Sequence, residues 1–414
     1  VQATLKETIT YNAVQALPQL RLGTVRPKEA GYAWAERFDI FGRSFRFVEG
    51  LARKYAPGPL WITYAGQRSL LLLTVAHVRY VLERSPDPFA ADPEIKKSRL
   101  SHFEPEAATI ARGEDWERKS AINHELLQPM PVAEVVAEEV ATLLDRPLLT
   151  WQPFGEAFER IARRLVLGDA AAADAEVSEW LAQLQEDADR RLPAYGDRFP
   201  LLMARIAEYV KKAEPGSLAG RAASIPGATG QLPHALFAIQ DTTAINTYRA
   251  LALIRAHANV SAQTRENVSD MMANETYAEA ALQEAMRLFP TTPIYYRTAV
   301  RDTTIDGTEV PEGTLVIIPN GFHHRDRRGH PHANQFTPSQ WLNDNGEPAG
   351  EDWAYNHFSH GPQYCTGRSL ALDVAVAALR TLLGRRLTLR HPALNPDRPL
   401  PYFLNHFTIT LAVH

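Results

Sequence analysis

Cys365 is the single cysteine among 414 residues, and it stands in Phe358-Ser-His-Gly-Pro-Gln-Tyr-Cys-Thr-Gly367. One cysteine excludes an internal disulfide and any multi-cysteine metal cluster. A free cysteine is often no more than a small buried hydrophobe. This one lies between Gly361 and Gly367, just ahead of a strongly helical run. Glycine lets backbone approach a flat ligand closely and lets N–H groups turn toward a sulfur. The positive N-terminal end of a following helix favours a thiolate over a thiol. A thiolate held in this way suits an iron ligand.

Two more segments carry side chains with chemical potential. Glu284-Ala-Met-Arg287 precedes Leu288-Phe-Pro290. An acid and a base three apart on a helix share a face and can pair, although most such pairs are surface contacts of little worth. Ala238-Ile-Gln-Asp-Thr-Thr243 lies inside a helical run of about 232–256. Its plainest reading is a helix start, with Asp241 or Thr242 capping the segment from Thr243 to Ala256.

The elements that would position these residues follow from the texture of the chain. Hydrophobic residues make up 45% and charged residues 22%, a soluble globular composition. The formal net charge of −4 argues against a nucleic-acid partner. A helix is expected near Phe47–Lys54, a β-hairpin over about 57–75 around Gly66, and a short helix over Ala76–Glu83. From about 105 to 290 the pattern is mostly helical, and Asp169–Asp174 reads as a solvated helix or loop. Between about 291 and 320 prolines and glycines punctuate short β-rich runs, Thr303–Asp306 and Thr314–Ile318. A helix returns after Cys365, with Leu370, Ala371, Val374, Ala377, Ala378 and Leu382 on one face and Gly384 at its end. No internal repeat or interdomain linker is evident, so 1–414 reads as one mainly α domain with a small β region. Strand–helix alternation of the parallel α/β kind is absent. No secretory signal and no apolar run long enough to span a bilayer is present, and a soluble, cytoplasmic protein without a membrane anchor is expected.

The run Phe-x-x-Gly-x-x-x-Cys-x-Gly, with Glu-x-x-Arg 81 residues before its cysteine and a Pro-rich β segment between, resembles the cytochrome P450 family. The resemblance spans most of the chain and implies the helix-rich triangular-prism fold of that family. It implies haem b (iron protoporphyrin IX) with Cys365 as its axial thiolate, cradled by Phe358, Gly361, Gln363 and Gly367. Glu284 and Arg287 would lock the core behind the haem. Asp241 and Thr242 would form the distal acid–alcohol pair that brings protons to the oxygen site. Arg297, with Trp116 and Lys119 (or Arg118) on the Gly113–Ser120 stretch, would hold the haem carboxylates. Phe237, Ala238, Thr291, Ile294, Tyr295, Phe403 and Leu404 follow the family's substrate-contacting segments and would line an apolar pocket. For Tyr295 and Tyr296, core packing is an equal reading.

The chain departs from the family pattern at four positions. Ile239 replaces the usual glycine of the distal helix, which puts the groove shape in doubt. Ser120 replaces the basic residue four after Trp116, and Gln363 the basic residue two before the cysteine. Gln340, in Phe336-Thr-Pro-Ser-Gln-Trp341, replaces an arginine, which predicts a looser Glu284–Arg287 pair or recruitment of His357 or His360. His323-His324 reads as a turn near a charged surface rather than a zinc site. The resemblance implies monooxygenation of a hydrophobic small molecule by O2. No dinucleotide glycine loop or multi-cysteine cluster appears, so electrons from NAD(P)H would arrive through a separate reductase and a ferredoxin- or flavodoxin-type carrier. Arg368, Arg118 and Lys119 are candidates to receive it. The alternatives are a peroxide-dependent peroxygenase, a coupling or rearrangement enzyme of the same haem-thiolate kind, and a non-catalytic haem sensor.

Overall fold

The computed structural model describes residues 1–192, 197–258, 275–343, 345–350, 352–395 and 398–414. Apolar periodicity sets the main helices. Ile40–Tyr55 buries Phe45, Val48, Leu51 and Ala52 on one stripe, and Trp151–Leu167 buries Phe154, Phe158, Ile161, Leu165 and Val166. The helix after Cys365 spans Arg368–Leu383 and ends at Gly384, as its pattern predicts. The expected helix near Phe47–Lys54 is longer than its sequence signal. The expected patch at Asp169–Asp174 holds a 3-10 turn over Asp169–Ala171, with Ala171 fully buried.

The strands are β1 (Leu60–Tyr64), β2 (Gln67–Leu71), β3 (Phe89–Ala90), β4 (Leu148–Leu149), β5 (Tyr295–Ala299), β6 (Thr303–Ile305), β7 (Thr308–Val310), β8 (Leu315–Ile318), β9 (Leu387–His391) and β10 (Thr410–Val413). The largest sheet has the order β1-β2-β8-β5-β3. Its hairpin β1–β2 is antiparallel, with Leu60 opposite Leu71, while β2 and β8 run parallel. β5 pairs antiparallel with β8, placing Arg297 opposite Val316. β4, β10 and β9 form a second sheet, and β6–β7 a hairpin.

The distal helix runs unbroken through Leu232–Phe237, Ala238–Thr243 and Ala244–Ala258. Asp241 and Thr242 are therefore interior to it, and the helix-start reading is excluded. The middle portion is π-helical, a form that concentrates at functional sites. Thr242 Oγ1 and Thr243 Oγ1 each donate to the Ala238 carbonyl at 2.8 Å. These bonds cap an acceptor that the widened turn would otherwise free. Ile239, only 2% exposed, packs in the main hydrophobic core, so the widening forms here without the family's glycine.

Glu284 and Arg287 are both fully buried. Arg287 donates to Glu284 from Nε and Nη2, each at 2.7 Å. Its remaining donors reach the carbonyls of His324, Ala333 and Gln335. Glu284 also accepts from Thr337 N–H at 2.8 Å, Gln340 Nε2 at 2.5 Å and Trp341 Nε1 at 2.9 Å. Loss of the arginine at 340 thus recruits neither His357 nor His360. The Gln340 amide and the Trp341 indole do the work, and Gln340 Oε1 accepts in turn from Tyr355 OH at 3.1 Å. The His323-His324 pair is buried rather than at a charged surface. His323 Nε2 bonds the Leu72 carbonyl and His324 Nε2 bonds Asn356 Oδ1. Burial pushes the two rings down to about 4 and about 3, so both are neutral.

Removing one partner of a buried, hydrogen-bonded ion pair leaves the other charge uncompensated. Arg287→Met should therefore cost about 3–5 kcal/mol in urea unfolding. Trp341→Phe, which deletes one of several donors to Glu284, should cost clearly less. A loss under about 1 kcal/mol for Arg287→Met would show that the pair does not hold this region together.

Candidate functional site

A cavity of about 650 Å³ lies between the π-helical turn and the cysteine loop. Cys365, Phe358, Gln363 and Gly367 line it, and so do Ala238, Asp241 and Thr242. The loop reaches this shape through local bonds. Cys365 N–H donates to the Phe358 carbonyl at 2.8 Å, and Arg368 N–H to the Cys365 carbonyl at 3.2 Å. Gly361 has φ +69, and a Cβ there would come 2.1 Å from the Leu82 carbonyl oxygen. Only glycine fits. A Cβ on Gly367 would lie 4.0 Å from Cys365 Sγ, so its absence leaves space beside the sulfur. Burial pushes the Cys365 thiol up, while the Gly367 N–H and the Arg368 charge pull it down. Burial wins, so the helix end alone does not secure the thiolate; a bound cation would have to complete it.

Arg297 is 5% exposed and lines the cavity. Its donors reach Ser85 Oγ at 3.1 Å, the Tyr296 carbonyl at 3.0 Å and Ser359 Oγ at 3.1 Å. Among the described residues no carboxylate pairs with it, and burial lowers it to about 10. Lys96, also on the cavity wall, is pushed down to about 7 by burial first and by the Arg297 charge second. Its Nζ bonds the Ala91 and Thr109 carbonyls. Glu104 and Asp92 lie near enough to act on Lys96, but among the described residues neither cation has a carboxylate in ion-pair contact, and two such adjoining cations suit a dianion. With the half-buried Cys365 sulfur facing the same space, these residues fit a flat iron macrocycle bearing two carboxylates.

Trp116 and Ser120 reach the cavity. Lys119 does not line it: its Nζ lies 2.9 Å from Asp115 and 3.0 Å from Glu106. Arg118 is paired with Asp115 at 2.5 Å. Phe237, Thr291, Ile294, Tyr295 and Phe403 line the cavity. Leu404 lies in the core, 1% exposed, and its carbonyl accepts from Arg249 Nε. The Tyr295 hydroxyl is committed to the His357 carbonyl at 2.8 Å, beside the cysteine loop. Tyr296 OH pairs with Tyr64 OH at 2.8 Å.

Asp241 faces the cavity and is held by Gln185, whose Nε2 donates to Oδ2 at 3.0 Å. Burial raises its pKa above the ordinary aspartate value, against the lowering effects of Gln185, Arg26 and Gln240. Glu159 is raised as well, mainly by burial and in small part by the charge of Asp241.

A family model, "Cytochrome P450", matches residues 224–392, which takes in the distal helix, the Glu284–Arg287 pair and the cysteine loop. Cytochrome P450 3A15 of Cavia porcellus is 33% identical over 114 residues, 27% of this chain and 22% of that protein. Cytochrome P450 52-M1 of Starmerella bombicola is 30% identical over 177 residues, 37% of this chain and 32% of that protein. A solved structure described as retinoic acid bound cyanobacterial CYP120A1 superposes with a TM-score of 0.71 at 17% identity, covering 88% of this chain and 93% of that one. The chain is a member of the cytochrome P450 family. The matched region spans at most about a third of these two curated relatives, whereas the P450 fold covers nearly all of the chain. No helix among the described residues is long and apolar enough to cross a membrane.

The P450 motifs alone do not point to Lys96, Arg99 or Gln185. Lys96 and Arg99 had a signal, two cations at i,i+3 in the segment Glu94–Leu100. Gln185 had none, because a glutamine on a helix face looks solvated until the partner helix is in place.

The raised Asp241 pKa has a consequence for stability. An acid whose folded pKa lies above its unfolded value binds more protons when folded, so its ionisation penalises the fold as pH rises. Asp241→Asn should therefore raise Tm relative to the parent, with the gap widening as pH rises above the ordinary aspartate value of 3.8. A gap that is flat with pH would contradict the burial of this carboxyl.

Proposed function

We propose that this P450 is a haem-thiolate monooxygenase acting on a hydrophobic small molecule. The observation that carries the reading is that Cys365 and the Asp241–Thr242 pair line one largely apolar cavity. When bound, haem supplies the oxygen chemistry by which one atom of O2 enters the substrate and the other leaves as water, using two electrons and two protons.

The chain's own residues do the rest. Cys365 provides the sulfur ligand, and Arg297 with Lys96 holds the carboxylates. Asp241 keeps a proton available at its carboxyl, because burial favours the protonated form. Gln185 fixes that carboxyl's direction through one hydrogen bond. The Thr242 hydroxyl, anchored on the Ala238 carbonyl, presents its oxygen as an acceptor toward the cavity. Phe237, Ile294 and Phe403 exclude water and orient an apolar body. Electrons from NAD(P)H come through a separate ferredoxin- or flavodoxin-type carrier. Arg368, lying over the Phe358 ring beside the cysteine loop, is the basic residue best placed to meet it.

The test is stoichiometric. Under turnover with O2, NAD(P)H and a surrogate reductase and ferredoxin, Thr242→Ala should form less product and more peroxide per NAD(P)H consumed. Unchanged coupling would remove Thr242 from proton handling. Full activity with peroxide alone, and none with the electron carriers, would replace the monooxygenase reading with a peroxygenase.

A further inference from the structure

The cavity wall holds one strong cation that the haem site does not explain. Arg99 has a side chain only 12% exposed, and it lines the cavity. Its guanidinium donates no hydrogen bond among the described residues. Its nearest carboxylate, Asp189, stands 3.5 Å away. That acid is already committed: it accepts from the backbone N–H groups of Thr24, Val25 and Arg26 at 2.7, 3.0 and 3.1 Å. A guanidinium is always charged and carries five donors in a planar fork. Leaving such a group mostly desolvated and unbonded is costly unless a ligand satisfies it.

A second cation adds to the field. Arg191 also lines the cavity, has no ion-pair partner among the described residues, and lies close enough that its charge opposes that of Arg99. The hydroxyl pair Tyr64–Tyr296 borders the same spot. Arg99 follows Lys96 by one turn on Glu94–Leu100, yet the two have different charged neighbours. Its charged neighbours are Asp189 and Arg191, while Lys96 is the residue that feels Arg297. The adjoining walls are apolar, with Val14, Leu20, Leu22, Val25 and Phe45 on the N-terminal side.

We propose that the substrate is an amphipathic carboxylic acid, its carboxylate docked on Arg99 with Arg191 beside it and its apolar body extending into the cavity. The fork of Arg99 matches a carboxylate in two parallel bonds. This inference rests on the monooxygenase reading for what happens to the substrate, but not for the binding itself.

The experiment compares dodecanoic acid with dodecanol on the haem-loaded full chain near pH 8, by the substrate-induced Soret shift and by equilibrium dialysis. The acid should bind about 10-fold more tightly or better, equivalent to about 1.4 kcal/mol. Arg99→Gln should abolish that preference while dodecanol binding and the thiolate–CO band persist. Arg99→Lys should restore part of it, and Arg191→Gln should weaken it less. Equal affinities in the parent protein, a preference that survives Arg99→Gln, or no acid binding by dialysis would overturn the proposal. Loss of haem from Arg99→Gln alone would also overturn it, by showing that Arg99 holds the haem's own carboxylate. A parent protein lacking the thiolate–CO band would instead sink the haem-thiolate reading, and the dialysis comparison would still decide whether the cavity selects carboxylates.

Discussion

Glu284 and Arg287 carry opposite charges at zero exposure, and the region behind the cysteine loop is arranged to keep them satisfied. Every donor of Arg287 that points away from Glu284 meets a backbone carbonyl, from residues 324, 333 and 335. The carboxylate of Glu284 gathers three further donors from residues 337, 340 and 341. Isolated, either charge would be prohibitive in the interior. Together they fix where the chain between β8 and the cysteine loop must run. The Tyr355 hydroxyl then links Gln340 to His330, so the restraint extends into the segment leading to Cys365. A charged third partner is unnecessary because neutral N–H donors complete the shell.

The cavity illustrates how burial and charge compete. Burial alone favours neutral forms: it raises Cys365 and Asp241 and lowers Lys96 and Arg297. For Asp241 this shifts the carboxyl toward its protonated form, which is what the proposed proton relay asks of it. Burial shifts Cys365 toward the thiol and Lys96 toward the neutral amine while Arg297, at about 10, stays charged, so a bound cation and carboxylates would offset the cost of burying these groups. An iron macrocycle with two carboxylates meets both demands at once. Arg99, with only a 3.5 Å contact to Asp189, presents a similar problem at another wall, which the proposed substrate carboxylate would resolve.

Much of this was legible in the sequence because the chemistry is local. The loop from Phe358 to Gly367 announces its cysteine by glycines whose need is real at 361, where a Cβ would collide with Leu82. The pair at 284 and 287 is fixed by helical spacing. Asp241 was ambiguous, since an acid before two threonines is also a helix cap, and only tertiary structure shows the helix running through it. Ile239 put the groove shape in doubt, yet the helix is π-helical there, with two threonine hydroxyls bonded to the Ala238 carbonyl. Lys119 does not reach the cavity, because Asp115 one turn earlier and Glu106, in the segment just ahead of its helix, hold its ammonium. Lys96 and Arg99 carried only the signal of two cations at i,i+3, and that both line the cavity shows only once their short helix is packed against Ala175–Asp189 and Ala108–Ile110. No single stretch of sequence brings those elements together.

The account rests on the Cys365 sulfur as the ligand of a bound haem. The measurement that reaches it most directly is the absorption spectrum of the haem-loaded protein, reduced and exposed to CO, beside that of Cys365→Ser. The parent should show the red-shifted Soret band of CO trans to a thiolate, and the variant should lose that band while retaining the fold. A parent band typical of imidazole or neutral-thiol ligation, or a variant that keeps the thiolate signature, would contradict it.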